Sequence, residues 1–407
     1  MIRSFAARVA RSRASWPAPV NKAVDGVINR VPERIAMRLN PAKYGFTARD
    51  VPRPPAAPST PTRVYIAPVN FSGQGYAWAR AVERLDGVGS VSMQYRLDDD
   101  FGFPSDNAVP VRVFVRSTRW QRAQFRAVTR GFTHVIVEAE RPIFGGLFDE
   151  SVVREVQALR AAGLRVAMLS HGSDLRLPSR HRELDEWSPF RDESWDAIPV
   201  LEKQALANRV VLVESHAPVF VATPEQLLDW PDASWLPNVV EPALWQSDDA
   251  ALERETPVVI HAPSNPVIKG TDLIEPAATQ LAASGAIEYR RIQGVPATQM
   301  PDVYRQADIV LEQFRIGNYS TVALQAMAAG RLVIGHVHEQ VRDHVRREYG
   351  VDVPIVEATP ATLRAVLEHV LANREDYRAV AASGPAFIAA VHNGEASARV
   401  LEAFLRS

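Results

Sequence analysis

Residues 308–337 read DIVLEQFRIGNYSTVALQAMAAGRLVIGHV, and this stretch decides the fold class. The apolar run DIVLEQF predicts a buried strand, the loop RIGNYS follows it, and TVALQAMAA has the spacing of a helix. Gly330 ends that helix, and RLVIGHV predicts the next strand. A strand, a loop, a helix and another strand in this order are typical of a parallel sheet that is covered by helices on both faces.

The same alternation extends in both directions along the chain. In the second half, PVVIHAPS predicts a strand before the helical run TDLIEPAATQLAAS. In the first half, RVYIAPV predicts a strand, SGQG a turn and YAWARAVERL a helix, and HVIVEAE and LRVAMLS predict further strands. We therefore predict an α/β protein with two Rossmann-like domains that face each other across a cleft. Ligands of such sheets bind beyond the carboxyl ends of the strands.

A chain of 407 residues is longer than one hydrophobic core usually organises, which predicts two domains. The segment PRPPAAPSTP, at 52–61, ends a polar leader, and the turn-like LPNVVEP near 237–242 predicts the connection between domains. The predicted parts are a basic, proline-rich leader (1–62), an N-terminal acceptor domain (63–240), a C-terminal donor domain (241–390) and a last helix (391–407).

Composition excludes several classes of protein. Hydrophobic residues make up 46% and charged residues 23%, as in a soluble globular protein, and the net charge of -1 argues against a nucleic-acid-binding face. With no cysteine, disulfides, thiolate metal sites and cysteine nucleophiles are excluded. No apolar stretch of membrane-spanning length and no secretory signal is apparent, so we expect a cytoplasmic protein.

The first 24 residues carry basic side chains and no acid, interleaved with apolar ones; the basic residues are Arg3, Arg8, Arg11, Arg13 and Lys22. A basic amphipathic segment of this kind can lie on an anionic membrane surface, which here would be the inner face of the membrane. The alternative is a frayed, solvated terminus, since Pro17 and Pro19 soon interrupt the run.

The loop in residues 315–320 is the first candidate site. The helix predicted to begin at Ser320 or Thr321 has free N–H groups there, which together with the helix dipole favour a phosphate anion. Gly317 permits a close backbone approach, and Asn318 and Tyr319 complete the loop. Gln325 lies one turn into the helix on the same face, where it could meet a ribose. Alternatively, Ser320 is only an N-cap and Gly317 only a turn.

A second loop, HAPSNPVIKGTD at 261–272, also follows a predicted strand and precedes a helix. Lys269 can place an ammonium on the same diphosphate, and Ser264 and Asn265 stand nearby. The alternative is an exposed lysine, because Lys-Gly-Thr-Asp is also good turn and capping chemistry.

These residues resemble the family-4-like glycosyltransferases of the GT-B fold, also called group 1 glycosyl transferases. Lys269-Gly270 with Asp272 matches the family's KG-D motif, and QAMAAG at 325–330 followed by Leu-Val-Ile at 332–334 resembles its E-A-M-A-x-G-x-P-V-I stretch. The resemblance covers roughly residue 63 to the C-terminus. It implies transfer of a hexose from a nucleotide diphosphate sugar, with retention of configuration and without a metal or cofactor, to an unknown glycan, lipid or small-molecule acceptor. Biosynthesis of a cell-envelope polysaccharide would fit.

The sequence departs from the family's E-x7-E pair, in which the acids contact the donor sugar and the ribose. Gly317 and Gln325 occupy those positions, so neither acid is present. Glu312, at a strand end, could supply a carboxylate from another position. The arginine that usually assists the lysine is absent, with Ser264 and Asn265 nearby.

In the N-terminal half, LSHGSDLR places His171 at the end of a strand, where the resemblance implies a histidine that faces the donor. Gly73 and Gly75 of the SGQG turn resemble the family's glycine-rich loop near the diphosphate. We therefore expect His171, Lys269 and Glu312 to be the catalytic residues.

Two other groups of residues do not predict a metal site. The acids at 98–100 lie in a polar loop, and His336, His338 and His344 are spaced too loosely to predict a metal site, so none is expected. Two rival functions stay open: a catalytically inactive GT-B scaffold that binds a nucleotide, and a nucleotide-sugar epimerase, which would need an acid/base pair at the sugar.

Overall fold

The computed structural model describes Glu33, Ile35, Met37 and residues 44–98 and 100–406. The basic segment at residues 1–24, predicted to contact a membrane, lies outside the described residues. None of the described helices is long and apolar enough to cross a membrane.

Two parallel sheets organise the described chain. The first has the spatial order β3-β2-β1-β4-β5-β6-β7. Its strands are β1 (Thr62–Ala67), β2 (Val88–Arg96), β3 (Asn107–Pro110), β4 (His134–Glu138), β5 (Arg165–Ser170), β6 (Val219–Val221) and β7 (Ser234–Trp235). Helices α1 (Gln74–Val82), α2 (Val111–Arg116), α3 (Thr118–Gly131), α4 (Val152–Ala161), α5 (Pro178–Leu184) and α6 (Ile198–Ser215) accompany it. We call this unit the N-terminal lobe.

The second sheet has the order β12-β11-β10-β8-β9. Its strands are β8 (Val258–His261), β9 (Glu288–Arg291), β10 (Ile309–Leu311), β11 (Leu332–Gly335) and β12 (Ile355–Glu357). The remaining helices are α7 (Pro242–Trp245), α8 (Pro266–Lys269), α9 (Thr271–Ala283), α10 (Met300–Arg305), α11 (Thr321–Ala328), α12 (Glu339–Tyr349), α13 (Leu363–Ala372), α14 (Arg374–Phe387) and α15 (Glu395–Arg406). This second sheet and helices α8–α14 form the C-terminal lobe.

The two sheets share one strand topology. In the first, β1 pairs with β4 and Ala67 lies opposite Val137; in the second, β8 pairs with β10 and His261 lies opposite Leu311. Strands β8, β10 and β11 are buried throughout, as expected for strands that helices cover on both faces. Glu138 and Glu312, the residues after Val137 and Leu311, therefore occupy equivalent positions at the carboxyl ends of equivalent strands.

Two apolar runs before the lobe connection take different conformations. VVLVES, at 210–215, is the last part of α6, whereas PVFVAT contains β6. Thr223 and Pro224, a pair typical of a helix start, begin only a short 3-10 segment, Pro224–Leu228. Periodicity alone does not separate a short buried strand from the end of a helix, which explains why the first run is ambiguous in the sequence.

The chain crosses between the lobes twice. It leaves the N-terminal lobe near Val240, and it returns after the π-helical segment Ile388–His392, so that α15 packs on α1. Leu401 and Phe404 of α15 share a buried cluster with Val64 and Trp78. The two crossings are hydrogen-bonded to each other: the Val240 N–H donates to the carbonyl of His392 (2.8 Å), and His392 Nδ1 lies 2.7 Å from the carbonyl oxygen of Asn238.

Candidate functional site

The carboxyl ends of the two sheets meet, as contacts between their loops show. Arg315, in the loop after β10, donates from Nε to the carbonyl of Trp187 (2.9 Å) and from Nη2 to that of Ser188 (3.2 Å), both in the loop region after β5. His181 Nε2 lies 3.3 Å from the carbonyl oxygen of Ile316. The strand-to-helix loops of both lobes therefore line one shared region, which we call the interlobe edge.

Lys269 lies at this edge, at the end of the short helix α8, and only 5% of it is exposed. Its Nζ forms an ion pair with the buried carboxylate of Glu312 and donates to Ser320 Oγ at 2.9 Å. Ser320 Oγ also donates to Glu312 Oε1 at 2.5 Å. The structure thus joins three side chains that the sequence singled out, from two loops that are far apart in the chain.

Ser320 is at the same time the N-cap of α11. Its Oγ accepts from the Val322 N–H at 3.3 Å, and α11 begins at Thr321. The Lys269 ammonium therefore stands at the N-terminus of a helix, beside backbone N–H groups that have no intrahelical partner. Gln325, one turn further, is half-buried. This arrangement can hold an anion, because the helix N-terminus and the ammonium are both positive.

The loop before α11 differs in detail from the expectation. Gly317 has φ +67°, and a Cβ there would lie 1.9 Å from His338 Cδ2, so a side-chain ring occupies the space that the glycine leaves open. Asn318 is buried, and its Oδ1 makes no hydrogen bond within the described chain. The ring of Tyr319 points into the core, where it packs against Phe387. Of these three residues, only Asn318 offers an unused polar atom.

The loop after β8 also holds Ser264 and Asn265, and both are exposed. The side chain of Asn265 caps α8, accepting from the N–H groups of Val267 (3.1 Å) and Ile268 (3.3 Å). No arginine stands beside Lys269 in the sequence, but in the structure the stem of Arg315 packs on Gly270, where a Cβ would lie 3.0 Å from Arg315 Cγ. Burial lowers the pKa of Arg315 from its usual value.

His171 lies on the N-terminal side of the edge, directly after β5. Its Nε2 lies 3.1 Å from Glu138 Oε1, and its ring contacts Phe71 and Trp78 at centroid distances of 5.1 and 5.5 Å. Its backbone N–H donates to Asp174 Oδ2 at 2.8 Å. The carboxylate of Glu138 and the rings of Phe71 and Trp78 thus fix the imidazole in one orientation.

Glu138 is the second half of this pair, and the sequence analysis did not identify it. It is fully buried, and burial raises its pKa while the hydrogen bond with His171 partly offsets the rise. Gly75 packs on its carboxylate, since a Cβ at Gly75 would lie 3.0 Å from both carboxylate oxygens. Gly73, with φ +76°, lies instead against the ring of Phe103. The glycine-rich turn therefore covers a buried acid.

A second buried acid, Glu140, accepts from Ser170 Oγ at 2.7 Å. Burial raises its pKa well above the usual value, and the nearby charge of Asp174 adds to the rise. The N-terminal side of the edge is therefore rich in buried carboxyl groups, and burial raises the pKa of two of them, Glu138 and Glu140.

A cluster of histidines joins the lobes at the same edge. Asp185 Oδ2 lies 3.3 Å from His336 Nε2 and 3.4 Å from His338 Nε2, and His181 stands beside them. His336 Nδ1 also lies 2.6 Å from Glu357 Oε1. Burial alone would lower the pKa of His336, but hydrogen bonds with Asp185 and Glu357 raise it to about 9.

The sequence analysis missed this cluster because its members come from two lobes. His344, which lies close to the others in sequence, packs instead on the ring of Trp235. The acids at 98–100 do not converge: Asp98 pairs with Arg112 and Asp100 with Arg96. Asp99 lies outside the described residues.

Comparison with known proteins gives likenesses in structure only. No family model matches the chain, and no curated protein matches it in sequence. Sucrose-phosphate synthase from Thermosynechococcus elongatus has a similar structure, with a TM-score of 0.54 and 14% identity over 84% of this chain and 98% of that chain. The catalytic domain of starch synthase IV from Arabidopsis thaliana, bound to ADP and acarbose, has a TM-score of 0.53 and 10% identity over 84% and 98%.

HepE from Anabaena, in complex with UDP and glucose, has a TM-score of 0.51 and 10% identity over 84% of this chain and 99% of that chain. These likenesses extend through both lobes. The chain therefore has the GT-B fold, with two Rossmann-like domains, and the predicted fold class is confirmed.

Proposed function

We propose that this protein is a glycosyltransferase that uses a nucleotide diphosphate sugar as donor and transfers a hexose to an acceptor. One observation carries the proposal: the Lys269 ammonium lies 2.9 Å from the N-cap of α11, at the edge where the lobes meet. In this fold, that edge is where ligands bind. Similar structures support the donor class, because HepE is in complex with UDP and glucose and starch synthase IV is bound to ADP and acarbose.

The donor diphosphate would bind at the beginning of α11. An ammonium has three N–H donors, and Lys269 uses two of them on Glu312 and Ser320. The third has no acceptor among the described residues, so it is available to a phosphate oxygen. Glu312 would then act as a positioning residue that holds the ammonium against the helix N-terminus.

Transfer requires stabilisation of the charge that develops on the departing diphosphate. Lys269 and the N–H groups at Ser320 and Thr321 would supply it without reorganisation, because both are fixed before the donor binds. By resemblance, we propose that the reaction retains the anomeric configuration and uses no metal at the reacting centre. Gln325 would bind a ribose hydroxyl without contributing a charge.

His171 would contact the donor sugar from the N-terminal lobe. Glu138 lies behind it and fixes its orientation through Nε2, while Phe71 and Trp78 restrict the ring. An imidazole that is held in this way can donate or accept one hydrogen bond at a defined place on the sugar. The acceptor would approach from the same lobe.

Titration calorimetry with UDP-, ADP- and GDP-linked hexoses tests the donor site. The informative variant is Lys269→Met combined with Glu312→Gln, because it removes both charges and leaves neither one buried alone. We expect it to weaken donor binding about tenfold or more, which is about 1.4 kcal/mol or more. Lys203→Met, on the exposed side of α6, is the matched control and should bind as the wild type does.

Two results would contradict the proposal: no binding of any nucleotide sugar, or equal binding by the wild type and the double variant. Product analysis separates the rival functions. Binding without transfer or hydrolysis would identify an inactive scaffold, and entry of solvent deuterium into the sugar without an acceptor would identify an epimerase.

A further inference from the structure

We propose that His181, Asp185 and His338 form a Zn²⁺ site that joins the two lobes. The first two come from the N-terminal lobe, from α5 and the residue after it, and the third follows β11 in the C-terminal lobe. The sequence predicts no metal site, because His338 lies far along the chain from His181 and Asp185. The inference is independent of the proposed function, because none of the three residues belongs to the donor site described above.

The donor atoms have the spacing that a tetrahedral cation requires. One ligand atom from each of the three side chains lies within 4.8 Å of the other two. Zinc bonds of about 2.0–2.1 Å place tetrahedral ligand atoms roughly 3.4 Å apart. Asp185 Oδ2 and His338 Nε2 are already 3.4 Å apart, which is the tetrahedral spacing, and the ligand atom of His181 lies no more than 4.8 Å from either of them.

Hydrogen bonding explains this spacing less well. A charge-assisted N–H···O bond is usually about 2.7–2.9 Å long, and both imidazoles stand further than this from the carboxylate. Asp185 is 3% exposed, and its Oδ2 forms only long ion pairs with His336 and His338 and no hydrogen bond of ordinary geometry within the described chain. A buried carboxylate oxygen that faces imidazole nitrogens at this spacing can accept a cation between them.

Neighbouring groups orient the ligands. His181 Nδ1 lies 2.7 Å from Ser188 Oγ, which fixes the ring, and its Nε2, now 3.3 Å from the carbonyl oxygen of Ile316, would exchange that contact for the metal. Asp185 Oδ1 accepts from the Trp187 N–H at 2.7 Å, which leaves Oδ2 for the metal. His338 rests on Gly317, where a Cβ would lie 2.1 Å from His338 Nε2. Partners of this kind are what holds metal ligands in place in proteins.

His336 supplies a fourth group at the edge of the site. Its Nε2 faces the same oxygen of Asp185 at 3.3 Å, and its Nδ1 contacts Glu357 at 2.6 Å. A carboxylate, a histidine and a metal often follow one another in this order. His336 can therefore donate a hydrogen bond from Nε2 to the bound carboxylate of Asp185.

The site also has an entry path and a matching chemistry. A cavity of about 250 Å³ adjoins His338 and is lined by Leu184, Leu228, Glu339 and Gln340. Glu339 is an exposed acid at this opening, which favours the approach of cations. Two imidazoles and one carboxylate, without a thiolate, select a borderline divalent metal such as Zn²⁺ over Mg²⁺ or Ca²⁺.

Metal content tests the proposal directly. Untagged protein is dialysed against ZnCl2 and then against metal-free buffer, and the metal is counted by plasma mass spectrometry. We expect one Zn²⁺ per chain in the wild type and its loss in both Asp185→Asn and His338→Gln. His369→Gln, an exposed histidine of α13, and the Lys269→Met, Glu312→Gln double variant should keep the metal.

Cobalt substitution tests the site without any mutation. If Co²⁺ binds in a tetrahedral site, the wild-type protein should show intense visible absorption, which Zn²⁺ displaces. Added Zn²⁺ should also raise the melting temperature of the wild type and not that of His338→Gln, because a ligand that binds only the folded state stabilises it. No metal uptake, no tetrahedral cobalt spectrum, or equal uptake by the ligand variants would overturn the proposal. Failure of nucleotide-sugar binding would leave all of these readouts unaffected.

Discussion

Glu138 and Glu312 occupy the same position in two copies of one topology, yet their surroundings are opposite. Each lies at the carboxyl end of the strand that pairs with the first strand of its sheet: Glu138 is the last residue of β4, and Glu312 directly follows β10. Glu312 faces the ammonium of Lys269 and the hydroxyl of Ser320, whereas Glu138 faces the imidazole of His171 and the backbone of a glycine-rich turn. Both carboxyl groups are buried.

The difference shows how one fold provides two kinds of chemistry at one edge. In the C-terminal lobe, the acid is matched by a full positive charge at a helix N-terminus, which suits an anionic ligand. In the N-terminal lobe, burial without a permanent cation raises the pKa of Glu138. A buried carboxyl with a raised pKa is suited to orienting a neutral, hydrogen-bonding group such as a histidine or a sugar hydroxyl.

Removing the cation of the C-terminal pair should have the largest effect. Lys269→Met leaves Glu312 buried without a partner, which we expect to lower the free energy of unfolding by about 3–5 kcal/mol. Urea denaturation measures the change, and the added Glu312→Gln substitution should restore most of the loss. If Lys269→Met were as stable as the wild type, Glu312 would have to be solvated, and the contrast between the lobes would disappear.

The two glutamates should also respond differently to the same substitution. Glu312→Gln leaves a buried ammonium unpaired and should cost about 3 kcal/mol. Glu138→Gln replaces a carboxyl whose pKa burial raises by a neutral group of the same shape and leaves no charge unpaired, so it should cost less, about 1 kcal/mol or below. Chemical denaturation of both variants under one set of conditions gives the comparison. Equal losses would show that Glu138 is ionised in the folded protein.

The pH dependence of stability gives a second test of the difference between the two glutamates. The folded-state pKa of Glu138 lies above its unfolded value of 4.5. The contribution of Glu138 to the free energy of unfolding is therefore fully present below pH 4.5, and it is lost as the pH rises through the raised pKa. The wild type should therefore lose stability relative to Glu138→Gln with rising pH, by at most about 1.4 kcal/mol per pH unit. Subtracting the two curves removes the contributions of other buried acids such as Glu155. A flat difference curve would contradict the assignment.

A small effect on stability is also expected at His171. His171→Asn removes one hydrogen bond to Glu138, and the cost should be about 1 kcal/mol, the usual net contribution of one hydrogen bond. Its effect on transfer of the sugar should be much larger than its effect on the melting temperature. A variant with unchanged turnover would assign His171 a purely structural role.

Much of this architecture could be predicted from the sequence because it depends on local patterns. The strands, the helix start at Thr321 and the meeting of Lys269 with Ser320 follow from parallel-strand topology, which brings strand-to-helix loops to one edge. Glu138 was missed because a glutamate that ends a strand usually faces solvent. Its burial depends on Gly75, which is close in space and distant in sequence.

The contacts between lobes could not be predicted. Arg315, Asp185 and His338 acquire their partners only when the two sheets take a particular relative position, and no periodicity in the sequence encodes that position. Gly317 illustrates the limit: the sequence indicates that something approaches its backbone closely, but only the structure shows that this neighbour is the ring of His338.

The paired crossings near Val240 and His392 have a mechanical consequence. A single linker would allow the lobes to twist and slide, but two linkers that are hydrogen-bonded side by side leave mainly one rotation, about a line through both of them. His392 also lies 3.4 Å from the hydroxyl of Tyr319, the residue before the N-cap serine of α11. A rotation of one lobe relative to the other would therefore move Tyr319 and, through it, the neighbouring residue Ser320.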